Sequence, residues 1–223
     1  MIRMLSRVPL ARLRHTPRAW LPVLGWSVLA LGYALATRAP NGADVAMRGT
    51  VGFVVVPLLT YGVVSATLGG VGLRSSVLGL AALGAPRRDA ALATILVAML
   101  VSALTCGLVA AVAVGLAHGA ADAPLAHDLP ASAAVAGAAG ATYAAYFCAG
   151  SAIGRGAMRG VFLVLDWVLG ATGVGSLLVP RGVVTALLGG PAPIDLSRRT
   201  CSLVLVVLAT SYLALALRLS RDR

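Results

Sequence analysis

One acidic side chain lies inside a long apolar run, at Asp166 within the sequence FLVLDW of residues 162–167. An ionisable group in apolar surroundings is costly to bury, so it marks either a functional site or a buried pair. As a functional group, Asp166 would bind a proton or a cation. As a structural group, it would pair with an arginine, and Arg159, about 10 Å earlier on the same helix, or Arg155 is the expected partner. We favour the structural pair.

A second set of polar side chains falls between two apolar runs. His118 and Asp122 are four residues apart, and His127 adjoins Asp128. All four side chains are able to bind a metal, but no cysteine or glutamate completes a ligand set. The Gly-Ala-Ala sequence between His118 and Asp122 does not favour a continued helix. We therefore predict a solvated polar loop without a metal.

The composition excludes several kinds of enzyme. All 18 basic residues are arginine and all seven acidic residues are aspartate, so the chain has no lysine and no glutamate. A P-loop ATPase needs a lysine, a zincin helix needs a glutamate, and a Schiff-base enzyme needs an amine. We therefore predict that the chain is not an enzyme and binds no cofactor of its own.

Apolar residues make up 59% of the chain and charged residues 11%, which is typical of a membrane protein. The mean hydropathy is +0.93. A helix crossing a bilayer needs about 20 apolar residues. The sequence therefore predicts an all-α, polytopic fold with six transmembrane helices. The expected spans are residues 20–36, 50–68, 90–116, 131–153, 161–179 and 200–217.

The predicted spans define the domain organisation. Residues 1–19 carry arginines interleaved with apolar residues, and we expect them to form a retained, amphipathic interfacial helix rather than a cleaved signal. Residues 20–217 form the six-span transmembrane domain. Residues 218–223 form a basic cytoplasmic tail.

The arginines are distributed unevenly between the two sides of the predicted membrane domain. Thirteen of the 18 fall on the side of the termini, whereas five fall on the other side. Cytoplasmic segments are enriched in basic residues, so both termini should be cytoplasmic. The arginine-rich, alanine-rich composition indicates a bacterial inner membrane. The net charge of +11 then reflects topology and attraction to the lipid bilayer, and nucleic acid is not an expected partner.

Small residues recur every four positions along the fourth predicted span. Such stripes allow helices to approach closely in lipid. The sequence therefore predicts a packing helix, and its partner is either its own bundle or a second copy. The residues assigned to helix packing are Gly137, Ala141, Ala145, Gly150 and Gly154.

The region between the second and third spans has the most specific pattern. The second span ends in Gly69 and Gly70, a short amphipathic segment covers residues 73–84, and the sequence APRRD of residues 85–89 restarts a long span. Apolar side chains recur at helical spacing between flanking arginines. Such a segment docks on a protein or lies on anionic lipid. The candidate contact residues are Arg74, Val77, Leu80, Leu83, Arg87 and Arg88.

This arrangement resembles the cytoplasmic loop of type-2 ATP-binding-cassette exporter permeases, in which a short coupling helix docks on the ATPase. The basic N-terminal segment, the six spans and the basic tail are also similar to that family. The family commonly has an acidic residue just before the coupling helix, and this chain has none between Asp44 and Asp89.

The resemblance implies a permease subunit that dimerises with a second copy or a homologue. It implies separate ATPase chains that bind ATP and Mg, and a short outer re-entrant helix at residues 181–188. A non-transporting membrane scaffold or accessory protein is one alternative. A proton-coupled carrier using Asp166 is another, although no internal repeat of the kind common in carriers is evident.

Overall fold

The computed structural model describes residues 5–15, 20–82, 84–154, 156–191 and 196–220, with the side chains of Arg14 and His15 left out. These residues are predominantly helical and include no β-strand, so the predicted all-α class is confirmed. Their α-helices are α1 (Arg7–His15), α2 (Leu21–Ala36), α3 (Gly42–Ala46), α4 (Val56–Leu68), α5 (Leu73–Ala82), α6 (Arg87–Ala117), α7 (Leu125–Ile153), α8 (Met158–Leu169), α9 (Pro180–Leu187) and α10 (Arg198–Leu219).

Three helical segments are long and apolar enough to cross a membrane. They are the 41-residue segment Gly42–Ala82, the 31-residue α6 and the 22-residue α10. Helix α2 is apolar but has only 16 residues. These lengths and compositions are those of a membrane protein, and the count of six spans remains a prediction.

The segment Gly42–Ala82 is not one regular helix. A π-helical stretch, Met47–Val55, follows α3, and Gly49 within it has non-helical backbone angles (φ −87°, ψ −111°). Pro57 lies in the first turn of α4 and has no backbone N–H for the helical ladder. Helix kinks commonly arise from these two causes. The predicted second span, 50–68, therefore begins inside this π-helical stretch.

Helices α6 and α7 form the centre of the bundle and approach each other through small residues. A Cβ atom on Gly137 would lie 3.1 Å from the carbonyl oxygen of Ala103, and one on Gly140 would lie 2.7 Å from that of Ser102. Ala145 is fully buried, and Gly150 packs against the ring of Phe162 on α8. The fourth span thus packs within its own bundle. Of the other predicted packing residues, Ala141 is half-buried and Gly154 caps the end of α7.

We expect Gly140→Ala to lower the stability of the bundle. The added Cβ would meet the Ser102 carbonyl at 2.7 Å and the Cys106 Sγ at 2.9 Å, and such overpacking costs about 1–3 kcal/mol. Gly115→Ala is the matched control, because its Cβ meets nothing within 4 Å, and it should raise stability through helix propensity. Thermal unfolding in detergent measures both. A Gly140→Ala protein as stable as Gly115→Ala would contradict the close packing.

The fifth predicted span, 161–179, is wrong as a continuous helix. Helix α8 ends at Leu169, and a turn and a short 3₁₀ helix, Gly175–Leu177, lead into α9. A Cβ on Gly170 would lie 2.6 Å from the Arg181 Cδ, so α9 folds back against the end of α8. The expected short helix at 181–188 is present as α9, Pro180–Leu187.

Candidate functional site

A buried ionic cluster, the Asp166 cluster, joins three helices. Asp166 on α8 is fully buried, and Arg181 on α9 is 2% exposed. The Arg181 backbone N–H donates to Asp166 Oδ1 at 3.1 Å, and the Tyr143 hydroxyl on α7 donates to Oδ2 at 3.0 Å. Arg181 Nη1 lies 3.9 Å from Asp166 Oδ2. Both carboxylate oxygens therefore have protein partners.

The position of Asp166 also stabilises the start of α9. The first N–H groups of a helix have no partner within the helix, and Arg181 is the second residue of α9. A carboxylate beside these N–H groups interacts favourably with the positive end of the helix dipole. Asp166 thus acts as a capping group supplied by a different helix.

The guanidinium group of Arg181 is fixed by the π-helical stretch. Its Nη2 donates to the Phe53 carbonyl oxygen at 2.6 Å. The guanidinium carbon lies 3.7 Å from the centre of the Phe53 ring and 4.6 Å from the Trp167 ring. Aromatic faces attract cations, so these rings partly replace water around the buried charge. A cavity of about 240 Å³ adjoins this arginine.

The expected pairing of Asp166 with Arg159 is wrong. Arg159 donates instead to the carbonyl oxygens of Val71 at 3.0 Å and Gly156 at 3.3 Å, and Arg155 lies outside the described residues. A straight helix would have placed Arg181 about 22 Å from Asp166. The turn after Leu169 brings the two together, and Arg181 is therefore buried rather than in an outer loop. The glycines at 170, 173 and 175 were the signal for that turn.

The polar loop at Asp122 is a structural clasp. Asp122 Oδ2 accepts hydrogen bonds from the backbone N–H groups of Gly119 at 2.8 Å and Ala43 at 3.0 Å. The Ala121 N–H donates to the Pro40 carbonyl oxygen at 2.8 Å. No group of three or more potential metal ligands occurs among the described residues. The sequence placed Asp122 in a solvated loop, whereas it joins the end of α6 to the start of α3.

The apolar face of α5 points into the bundle. Val77 is 3% exposed and Leu80 is 5% exposed, because they pack against the protein's own core. Their assignment to an outward apolar contact surface is therefore wrong, and Leu83 lies outside the described residues. The exposed side chains of α5, the following turn and the first turn of α6 include those of Arg74, Ser75, Leu78, Arg87 and Arg88.

Helix α1 packs against α4 and α6 and is hydrogen-bonded to α5. Arg12 Nη2 lies 3.4 Å from the Ser76 carbonyl oxygen, and the Trp20 indole N–H donates to the Leu13 carbonyl oxygen at 2.7 Å. Leu13 is buried in a small apolar cluster with Ala66. The N-terminal segment is thus helical over Arg7–His15 and rests on the bundle. Its placement at a membrane surface remains a prediction.

The chain matches no known protein-family model, no curated protein and no solved structure. The Asp166 cluster, the clasp at Asp122 and the exposed side of α5 are therefore described from their own geometry. The resemblance to exporter permeases, with the activity and partners that it implies, remains a proposal.

Proposed function

We propose that the chain is the permease subunit of an ATP-driven exporter in a bacterial inner membrane. It would work as a dimer with a second copy or a homologue, and separate ATPase chains would bind ATP and Mg. The observation that carries this proposal is α5, a short helix anchored on one face and exposed on the other. Arg74, Ser75 and Leu78 on α5, with Arg87 and Arg88 at the start of α6, form the α5 platform, and we assign them to the ATPase contact.

The turns on either side of α5 support its role as a separate docking element. Gly69 (φ 69°), Gly70 (φ 77°) and Gly84 (φ 85°) have left-handed backbone conformations that glycine adopts without steric cost. These turns stop the long helices α4 and α6 from continuing into α5. A docking helix requires such a break, because its axis must differ from those of the spans.

The packing of α5 provides a route for mechanical coupling. The inward side chains of Val77 and Leu80 belong to the same core as α6 and α7. Packed cores transmit displacement rather than absorb it. A push on the α5 platform would therefore move α6, whose far end is held to α3 by the clasp at Asp122.

The turn between α8 and α9 supports dimerisation. Non-helical backbone at membrane depth must be covered by protein or line a water-filled cavity, because lipid offers no hydrogen bonds. Helix α8 exposes Val164 and Val168 on the stretch that leads into this turn, and Val174 within the turn is 76% exposed. A second copy on this face would cover both the apolar side chains and the turn.

The contacts of Asp166 favour the exporter over the proton-coupled carrier. A carrier carboxylate must be able to exchange its proton, whereas Asp166 accepts hydrogen bonds at both oxygens and lies beside Arg181. We therefore assign Asp166 a structural role. The scaffold alternative differs from the exporter in having no ATPase partner.

Purification from native membranes tests the proposal. We expect the tagged chain to retain a separate ATP-binding-cassette ATPase through mild detergent extraction, and the complex to hydrolyse ATP. A chain that purifies without any nucleotide-binding partner, under conditions that preserve a known permease complex handled in parallel, would favour the scaffold.

Cysteine labelling tests the proposed orientation. With Cys106, Cys148 and Cys201 replaced, a Cys at the exposed Ala123 should react with an impermeant thiol reagent in intact cells. Ser75→Cys on the α5 platform is the control, and it should react only after the inner membrane is broken. The reverse pattern would contradict cytoplasmic termini, which rest on the arginine distribution.

A further inference from the structure

A lateral cavity of about 670 Å³ opens between α2, α4 and α8. This volume is within the range of small-molecule binding sites. Its walls are mainly apolar, which suits an opening that faces acyl chains. The lining residues include Trp26 on α2, Leu58, Tyr61 and Ser65 on α4, and Leu163 on α8.

The polar groups of the lateral cavity belong to α4 and the turn that follows it. The hydroxyl groups of Tyr61 and Ser65 have no hydrogen-bond partner within the described part of the chain, although both side chains are only partly buried. Gly69 and Gly70, in the turn that follows α4, also line the cavity. The opposite wall offers Trp26 and Leu163, so the cavity is amphipathic.

A buried positive charge lies behind this polar end. Arg159 is 3% exposed, its Nη2 reaches the Val71 carbonyl oxygen, and it interacts electrostatically with Tyr61. Its Nη1 has no hydrogen-bond partner among the described residues. No ion pair involves Arg159 within the described part of the chain, so its charge has no carboxylate partner there. A buried cation without a counterion attracts an anion.

We propose that the lateral cavity binds a phospholipid with an anionic headgroup, taken from the inner leaflet. The acyl chain lies between Trp26, Leu58 and Leu163. The phosphate lies near Gly69 and Gly70, where the Tyr61 and Ser65 hydroxyls and the field of Arg159 favour it. The inference rests on the membrane placement in the proposed function but not on the ATPase partner. The lipid site and the ATPase contact can therefore be disproved independently.

Photocrosslinking of the purified, tagged chain in lipid nanodiscs tests this proposal. The probe is phosphatidylglycerol with a diazirine in the middle of one acyl chain. We expect labelling of Trp26, Leu58 or Leu163, and a preference of about tenfold over the matching phosphatidylcholine probe. Unlabelled phosphatidylglycerol should compete, whereas inorganic phosphate should not, which separates a lipid headgroup from a free anion.

Two variants, the first with a matched control, make the result decisive. Ser65→Phe fills the cavity and should reduce its labelling about tenfold, while Ser211→Phe on the exposed face of α10 should leave it unchanged. Tyr61→Phe keeps the ring and should remove most of the headgroup preference, at unchanged thermal stability.

Three outcomes would overturn the proposal. The first is equal labelling of the cavity in native protein and Ser65→Phe. The second is equal labelling by the two headgroups. The third is a disulfide between two copies through Ser65→Cys, which would show that the groove is a contact between protomers.

Discussion

Asp166→Leu is expected to lower the free energy of unfolding by about 3–5 kcal/mol, which is the usual cost of removing one member of a buried ion pair. The substitution leaves the Arg181 guanidinium buried beside an apolar group. It also leaves the Tyr143 hydroxyl and the second N–H of α9 without an acceptor. Thermal unfolding and monodispersity of the purified protein in detergent measure the loss.

A double variant separates the ion pair from the rest of the cluster. Asp166→Leu combined with Arg181→Met removes both charges, and we expect it to recover much of the lost stability. Tyr143→Phe removes one hydrogen bond and should cost about 1 kcal/mol. An Asp166→Leu protein as stable as the native one, with transport that has lost its pH dependence, would reverse our assignment and favour the carrier.

Leu78→Asp is expected to abolish retention of the ATPase while leaving the bundle folded. Leu78 is 50% exposed on the α5 platform, so a carboxylate there stays hydrated in the isolated subunit. In the proposed complex it would be desolvated in a protein groove, at a cost of several kcal/mol. Copurification of the ATPase and thermal unfolding of the permease measure the two effects.

Leu80→Asp is the matched control, two residues away on the same helix. Leu80 is 5% exposed and packs in the bundle core, so this carboxylate should destabilise the permease itself. The two variants should therefore separate partner binding from folding. If Leu78→Asp retains the ATPase at the native stoichiometry, the α5 platform is not the docking site.

Long apolar runs and the glycines that separate them made much of the helical layout predictable. Helices α6 and α10 begin and end within three residues of their predicted spans, because long apolar runs between polar ends leave little choice. Glycines at 69, 70 and 84 correctly predicted that α5 is separated from its neighbours, because glycine readily adopts the left-handed conformations of these turns. These features are local, so the sequence alone carries them.

The sequence did not predict in the same way which partner covers each helix face or binds each polar side chain. Amphipathic spacing identified Val77 and Leu80 as one face of α5, but spacing does not say whether a partner or the chain's own core covers that face. The Asp166 cluster depends on the turn after Leu169, and the clasp depends on Asp122 meeting Ala43 across 79 positions of sequence. Long-range pairings of this kind follow from the packed fold and not from neighbouring residues.

The shortness of α8 has a consequence for biogenesis. Its 12 residues rise about 18 Å, well short of a 30 Å hydrocarbon core, and its aspartate opposes insertion by about 2.5–3.5 kcal/mol. In the proposed membrane placement, a nascent α8 alone would therefore be too short and too polar to remain in lipid. It would need α7 inserted before it, to place the Tyr143 hydroxyl, and α9 after it, to place Arg181. We therefore expect α7, α8 and α9 to enter the bilayer as one cooperative unit rather than one helix at a time.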